Sequence, residues 1–191
     1  MALHNTIKVS SANVQSIRDK KKRFDVLNYL LKDTNILCLQ DTHLIKADTR
    51  SLMQVFPEYE ILIEGVKTNS RGVCIFLKKN FEYKIKNTIG DNAGNIILID
   101  LQLGEISLRL INVYAPNTDN PIFFKRLAKY IDQSTETYTV LCGDLNLVLD
   151  SNMDSKNYVN LNNQKSREIL LDTMHQYHMS DIFRQMYPNT K

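Results

Sequence analysis

Short apolar runs of strand length, each closed by a polar cluster, recur along this chain and leave few ways to fold it. Residues 7–14 read as a strand leading into Asn13, and residues 35–40 as a continuous apolar run of buried-strand length. Residues 59–64 and 72–77 are strand-like and joined by a polar loop, and residues 82–88 alternate as a half-exposed strand does. A turn is expected at residues 90–94. Residues 95–103 and 106–114 then form a hairpin around Gly104 and Glu105, and residues 138–142 form another buried strand. Between them lie helical periodicities. Residues 19–32 place Phe24, Leu27, Leu30 and Leu31 on one face, and residues 121–133 carry Phe124, Leu127, Ala128 and Ile131. Residues 164–179 put Leu170, Leu171 and Met174 inside, with shorter helices at 49–56 and 181–186. Roughly eight strands and four main helices bury all these faces as two packed sheets with helices outside. A long polar loop spans residues 145–163, and loops of that length in compact domains are usually functional.

Composition narrows the class. The 191 residues are 43% hydrophobic and 24% charged, enough for one globular domain with a sizeable core. Lys and Arg number 24 against 21 acids, and so small an excess neither announces nor excludes a nucleic-acid partner. The three cysteines, Cys38, Cys74 and Cys142, sit in apolar runs and read as buried free thiols in a reducing compartment; no pair has zinc-ligand spacing. No signal-peptide or membrane-spanning run is present, which reads as an intracellular, soluble protein without membrane association.

The polar residues at the strand exits point to chemistry. One strand ends at Asn13, another at Gln40-Asp41-Thr42-His43. A third ends at Asn112-Val113-Tyr114-Ala115-Pro116-Asn117, and a fourth at Gly143-Asp144-Leu145-Asn146. Ligands of open α/β sheets bind beyond the carboxyl ends of strands, so two carboxylates, several amides and a phenol gather at one edge. A lone Asp after a strand is more often a cap or turn residue, but four such clusters are more than turns require. Carboxylates with open positions suit Mg²⁺, which keeps waters and shares its shell with substrate phosphate. A second carboxylate beside an amide suits orientation and deprotonation of a water.

These fragments, together with Ser11-Ala12-Asn13, Leu37-Cys38-Leu39, Ser70-Arg71-Gly72-Val73 and the closing Ser180-Asp181-Ile182-Phe183-Arg184, occur in an order that resembles the endonuclease/exonuclease/phosphatase superfamily. More narrowly, they are similar to the apurinic-endonuclease-like domain of non-LTR retrotransposons. The resemblance covers residues 7–189 and implies an α/β fold, a four-layer α-β-β-α sandwich of the deoxyribonuclease I type, with residues 1–191 as a single domain. It implies Mg²⁺-dependent phosphodiester hydrolysis, with Mn²⁺ as a substitute, and a DNA target nicked to prime reverse transcription. The reverse transcriptase would lie in cis in the parent element; no obligate protein partner is implied, and the location is nuclear or cytoplasmic. By motif, Asp41 is the metal-binding carboxylate, Asn13 helps hold the metal or the phosphate, Tyr114 contacts the scissile phosphate, Asp144 orients or activates the attacking water, and Asn146 positions that aspartate and the phosphate. Arg71, Asn112, Asn117 and Asp154 form the nucleic-acid-binding set; Arg71 reads equally as a simple loop charge, and the loop at 150–156 equally as a connector.

Two departures stand out. The family usually has Glu where this chain has Asp41, one methylene shorter. Its further aspartate and terminal Ser-Asp-His motif lie beyond the last residue here, and none of His4, His43, His175 and His178 fits that motif. The expectation is a copy incomplete at the C-terminus, lacking the terminal strands of the second sheet and weakened in catalysis by the missing charge-stabilising histidine. Three functions stand side by side: a Mg²⁺-dependent DNA endonuclease, a phosphatase of the same superfamily, and a remnant that at most binds nucleic acid. The basic run Lys20-Lys21-Lys22-Arg23 reads as a solvated first helical turn before it reads as a nuclear signal or phosphate patch.

Overall fold

In the computed structural model, which describes residues 6–131, 137–150, 153–155 and 163–190, β1 (Val9–Asn13) and β2 (Ile36–Gln40) lie parallel, Asn13 opposite Gln40. β4 (Val73–Lys78) runs antiparallel to β2, and β3 (Tyr59–Glu64) antiparallel to β4, giving the order β1-β2-β4-β3. A second sheet has the order β5 (Lys84–Gly90), β6 (Ile96–Leu103), β7 (Ile106–Tyr114), β8 (Tyr138–Asp144). Its last pair is parallel and ends with Tyr114 opposite Asp144. The eight expected strands are all present.

The described residues group into two compact units. The first, Met1–Tyr114 with Glu136–Asp144, holds both sheets. Every residue of β2 is buried because the strand is covered on both faces. Ile36 and Cys38, with Val73, Ile75 and Leu77, face the second sheet's Ile97, Ile99, Leu101 and Leu110. Leu37 and Leu39, with Phe76 and Ile61, face outward to Leu27 of α1 (Lys20–Leu30), to its C-cap Leu31, and to Leu52 and Phe56 at α2 (Thr49–Val55). Period-two alternation sorts each strand into these two layers. Phe76 meets Phe56 and Tyr59 edge-on at 6.3 and 6.1 Å, and the Tyr59 hydroxyl donates to the Leu31 carbonyl.

The second unit, Ala115–Thr135 with Leu145–Lys191, contains α3 (Pro121–Ile131), α4 (Gln164–Gln176) and α5 (Ile182–Met186). Its buried apolar residues, among those described, are Ala115, Phe123, Phe124, Leu127 and Ile131 of the segment through α3 and Leu170 of α4. Asn120 caps α3 at Phe123, ahead of Pro121 in the first helical position.

Several boundaries and faces differ from the periodicities. Phe24 is 53% exposed rather than internal, lying tilted against Phe56, and Leu171 is 42% exposed. Cys38 and Cys74 are buried, but Cys142 is half-buried. β5 runs on through Gly90, where the sequence predicts a turn. There the strand crosses the buried Glu64 carboxylate, whose Oε2 would lie 1.9 Å from any Cβ at position 90. Glu64 pairs with exposed Lys46 at 2.9 Å, and its Oε1 has no hydrogen-bond partner among the described residues. Parts of the 145–163 loop and residues 132–133 of the expected third helix lie outside the described residues, as does Lys156. No helix among the described residues is long and apolar enough to cross a membrane.

Candidate active site

Two parallel strand pairs, one in each sheet, end at the same edge of the first unit, and their last residues form the site. β2 stops at Gln40 because Asp41 turns into the left-handed region (φ 53°), followed by His43 at 57°. Such angles cost non-glycine residues roughly 1 kcal/mol each and persist where the surroundings enforce them. Here Thr42 N–H donates to the Gly72 carbonyl at 3.0 Å and His43 N–H to the Arg71 carbonyl at 2.7 Å, while Gly72 N–H is held by the Gly94 carbonyl. Gly72 itself (φ 95°) has no room for a side chain, since a Cβ would lie 2.7 Å from Thr42 Oγ1.

On the second sheet, Gly143 (φ 133°) brings β8 onto β7 so closely that a Cβ would overlap the Val113 carbonyl oxygen at 2.0 Å. That approach carries the strand into Asp144, in register with Tyr114. Asn13 then joins the two sheets: its Nδ2 donates to Asp144 Oδ2 at 2.7 Å, while its Oδ1 accepts from Gln15 N–H at 3.0 Å. Asp41 Oδ1 lies 3.2 Å from His43 Nε2, with both side chains about one-fifth exposed. The Tyr114 phenol is pushed above its ordinary range by burial, then by the charges of Asp41 and Asp144, with Arg71 opposing and a hydrogen bond to Asp41 adding to the rise. A phenol so placed stays protonated at neutral pH and keeps its O–H as a donor.

Asp41, Tyr114, Asp144 and Asn13 are thus brought together. The expectation that Asn13 ligates metal meets a different use of its side chain, since the amide nitrogen holds Asp144 and the oxygen caps a turn. Asn112, expected to face nucleic acid, is corrected: it is fully enclosed and hydrogen-bonded within the first unit, where no duplex reaches. Arg71 is exposed (φ 60°), and its guanidinium donates to Asn95 Oδ1 at 3.2 Å. In the second unit, Asn146 (φ 49°) donates to the Ala115 carbonyl at 2.8 Å and its own carbonyl accepts from Asn163 at 2.7 Å. Asn117 is exposed. Asp154 gives its carboxylate to Arg184 and to Asp150 N–H; burial opposes its ionisation, but these bonds hold it below the usual carboxylate range.

The sequence reading names Gln40 and His43 in a strand-exit cluster but gives neither a site role, and it gives none to Asn95. Asn95 brackets Tyr114, donating to its carbonyl at 2.6 Å and accepting from its N–H at 2.7 Å. The signal for His43 is its place two residues after Asp41; for Asn95, a polar residue directly before the apolar run Ile96–Ile99. One member of the basic run is also engaged: Lys22 Nζ donates to the Val14 and Gln15 carbonyls at 3.0 and 2.7 Å.

The two-sheet α/β fold thus brings acids, amides and a phenol to one shared strand edge. The model of the Endonuclease/Exonuclease/phosphatase family matches residues 10–158, and the chain belongs to that family. Among curated relatives, the Transposon TX1 uncharacterized 149 kDa protein of Xenopus laevis is 21% identical over 96% of this chain, which spans 14% of that protein's length. The AP endonuclease LMAP of Leishmania major superposes with a TM-score of 0.74 at 17% identity, covering 97% of this chain and 71% of that one. A 3′ phosphatase from Neisseria, solved with a product DNA hairpin, gives 0.74 at 19% identity, covering 97% and 76%. The α/β fold of the deoxyribonuclease I type is therefore the fold of this chain.

Proposed function

We propose that this chain is a Mg²⁺-dependent phosphodiesterase that nicks DNA on behalf of a retrotransposon. The observation that carries the reading is the convergence of Asp41 and Asp144 on the Tyr114 phenol, with Asn13 tying Asp144 across the sheets. Among the described residues no group of three His, Cys, Asp or Glu side chains gathers to hold a metal ion. Two carboxylates do gather, all their donors are oxygens, and Mg²⁺ needs only one or two carboxylates when phosphate completes its shell. The residues fit such an ion, with Asp41 as its holder; Mn²⁺ takes similar oxygen ligands. When bound, the ion would neutralise charge on the phosphate and polarise it.

The remaining roles fall to the chain itself. Tyr114, protonated, donates to a non-bridging phosphate oxygen. Asp144, oriented by Asn13, accepts a proton from the attacking water. Asn146 follows two residues later and orients the phosphate. Arg71 and Asn117 supply exposed polar contacts to the DNA backbone. The transposon relative supports a mobile-element context; a reverse transcriptase in cis and a nuclear or cytoplasmic location belong to the same proposal.

The family also includes phosphatases, so the substrate needs a direct test. The protein is incubated with Mg²⁺ and a duplex carrying one abasic site, an unmodified duplex, a duplex with a 3′-phosphate, and a soluble inositol phosphate. Internal cleavage of either of the first two supports the proposal. Release of phosphate from the last two alone assigns a phosphatase. Binding of duplex without any hydrolysis assigns a nucleic-acid-binding remnant.

A further inference from the structure

A matched pair of amides lies between the sheets of the first unit, directly beneath the site. Gln40 is 1% exposed and Asn112 fully buried. Gln40 Nε2 donates to Asn112 Oδ1 at 2.7 Å, with Ser11 Oγ at 3.0 Å and the Cys38 carbonyl at 3.2 Å also in reach. Asn112 Nδ2 donates to the Leu39 and Cys74 carbonyls, both at 3.0 Å. The side chain of one β7 residue therefore grips β2 twice, through Gln40 and Leu39, and β4 once. Leu39 and Cys74 are opposite each other at the last registered pair of β2 and β4. Gln40 immediately precedes Asp41. Asn112 precedes Tyr114 by two residues and lies opposite Cys142, two residues before Asp144.

Apolar packing alone would hold the sheets together but would tolerate small slips of one over the other. A buried amide pair does not, because a slip leaves buried donors and acceptors unsatisfied. We propose that the Gln40–Asn112 pair is a positioning device that fixes Asp41 of one sheet against Tyr114 and Asp144 of the other, with Asn112 as its central residue. This deepens the hydrolase reading above and rests on it for its catalytic consequence, but the positional claim stands separately.

The test compares wild type with the double variant Gln40→Leu/Asn112→Leu, in which both amides become apolar, and with Asn112→Leu alone. Thr34→Val is the stability control, since buried Thr34 hydrogen-bonds Lys8 and Ile36 carbonyls at the other end of β2. Melting temperature, Mn²⁺ affinity by electron paramagnetic resonance, nicking rate, and hydrogen exchange at the Thr42 and His43 amides are measured. The expected result is a folded double variant whose Mn²⁺ affinity and nicking rate fall about tenfold or more. The Thr42 and His43 amides exchange correspondingly faster, while Thr34→Val loses stability with none of these changes. A folded double variant with wild-type affinity, rate and exchange overturns the proposal and leaves the pair a structural filler. Should wild type itself neither bind Mn²⁺ nor nick DNA, the hydrolase reading fails. The exchange comparison at Thr42 and His43 then decides the positional claim alone, faster exchange upholding it and unchanged exchange overturning it. If the double variant does not fold, Asn112→Leu and Asn112→Asp are read by the same measurements with the same outcomes.

Discussion

Asn13 divides its side chain between two tasks, an oxygen that closes the turn at Gln15 and a nitrogen that fixes Asp144. Hydrogen bonds to a charged group are among the stronger ones, worth roughly 1.5–3 kcal/mol net. Partners that orient a reacting carboxylate commonly matter by about 10–100-fold. Asn13→Ala is therefore expected to lower the nicking rate by roughly that factor while leaving duplex affinity near wild type, as checked by rate and filter-binding measurements on one preparation. Equal losses in rate and affinity would contradict an orienting role. Asp41, Tyr114, Asp144 and Asn13 stand out in the sequence because each falls at or just beyond the end of a strand-like run. Their partners are not: Asn13 finds Asp144 across 131 residues, and Gln40 finds Asn112 across 72. Asn112 is misread for the same reason, since a polar letter two places before Tyr114 looks like a surface contact until the facing strand is known.

Among the elements, β8 depends most visibly on one residue. Gly143 combines a φ of 133° with contact against the Val113 backbone, so it serves both the ladder and the delivery of Asp144. Gly143→Ala is expected to destabilise the protein by more than about 1 kcal/mol through strain alone, with backbone overlap adding to it. Urea denaturation checks this; a midpoint equal to wild type would show that β8 can relax away from β7. The sequence pattern stops this strand at Cys142, because apolar content ends there, whereas the hydrogen-bonded ladder continues to Asp144.

α4 presents the opposite case. Its N-cap Asn163 is left-handed and gives no side-chain cap. Asp119, far back in the chain, accepts instead from Ser166 Oγ and N–H at 2.6 and 2.9 Å and from Lys165 N–H at 3.3 Å. The Ser166 hydroxyl leads the effects that hold Asp119 below the usual carboxylate range. A carboxylate depressed in the folded state stabilises above its unfolded pKa of about 3.9 and loses that contribution as pH falls through the folded value. Asp119→Asn is thus expected to melt below wild type at pH 7, with the gap closing as pH drops under about 4. A gap that stays constant down to pH 2 would contradict the cap. No local rule finds this cap, because its donor helix begins more than forty residues after it.

At the scale of the whole molecule, the repeating pattern of apolar run and polar closure is enough to read two sheets and one functional edge. The physical reason is that period-two burial and strand-end ligand sites both leave their mark in local sequence. Beyond the β6–β7 hairpin, local sequence does not carry which strands pair. Each sheet places one parallel pair, β1 with β2 and β7 with β8, at the end where the acids emerge. The net charge of +3 is small and carries little weight for or against a nucleic-acid partner. The measurement that bears most directly on this account is the conversion of supercoiled plasmid to open circle by wild type and by Asp144→Asn, each with Mg²⁺ or with EDTA. Nicking by wild type with Mg²⁺, abolished by EDTA and reduced at least about a hundredfold in the variant, is the expected result. Nicking that persists in EDTA or in Asp144→Asn, or its absence from folded wild type, would contradict the assignment of this edge as a metal-dependent nuclease site.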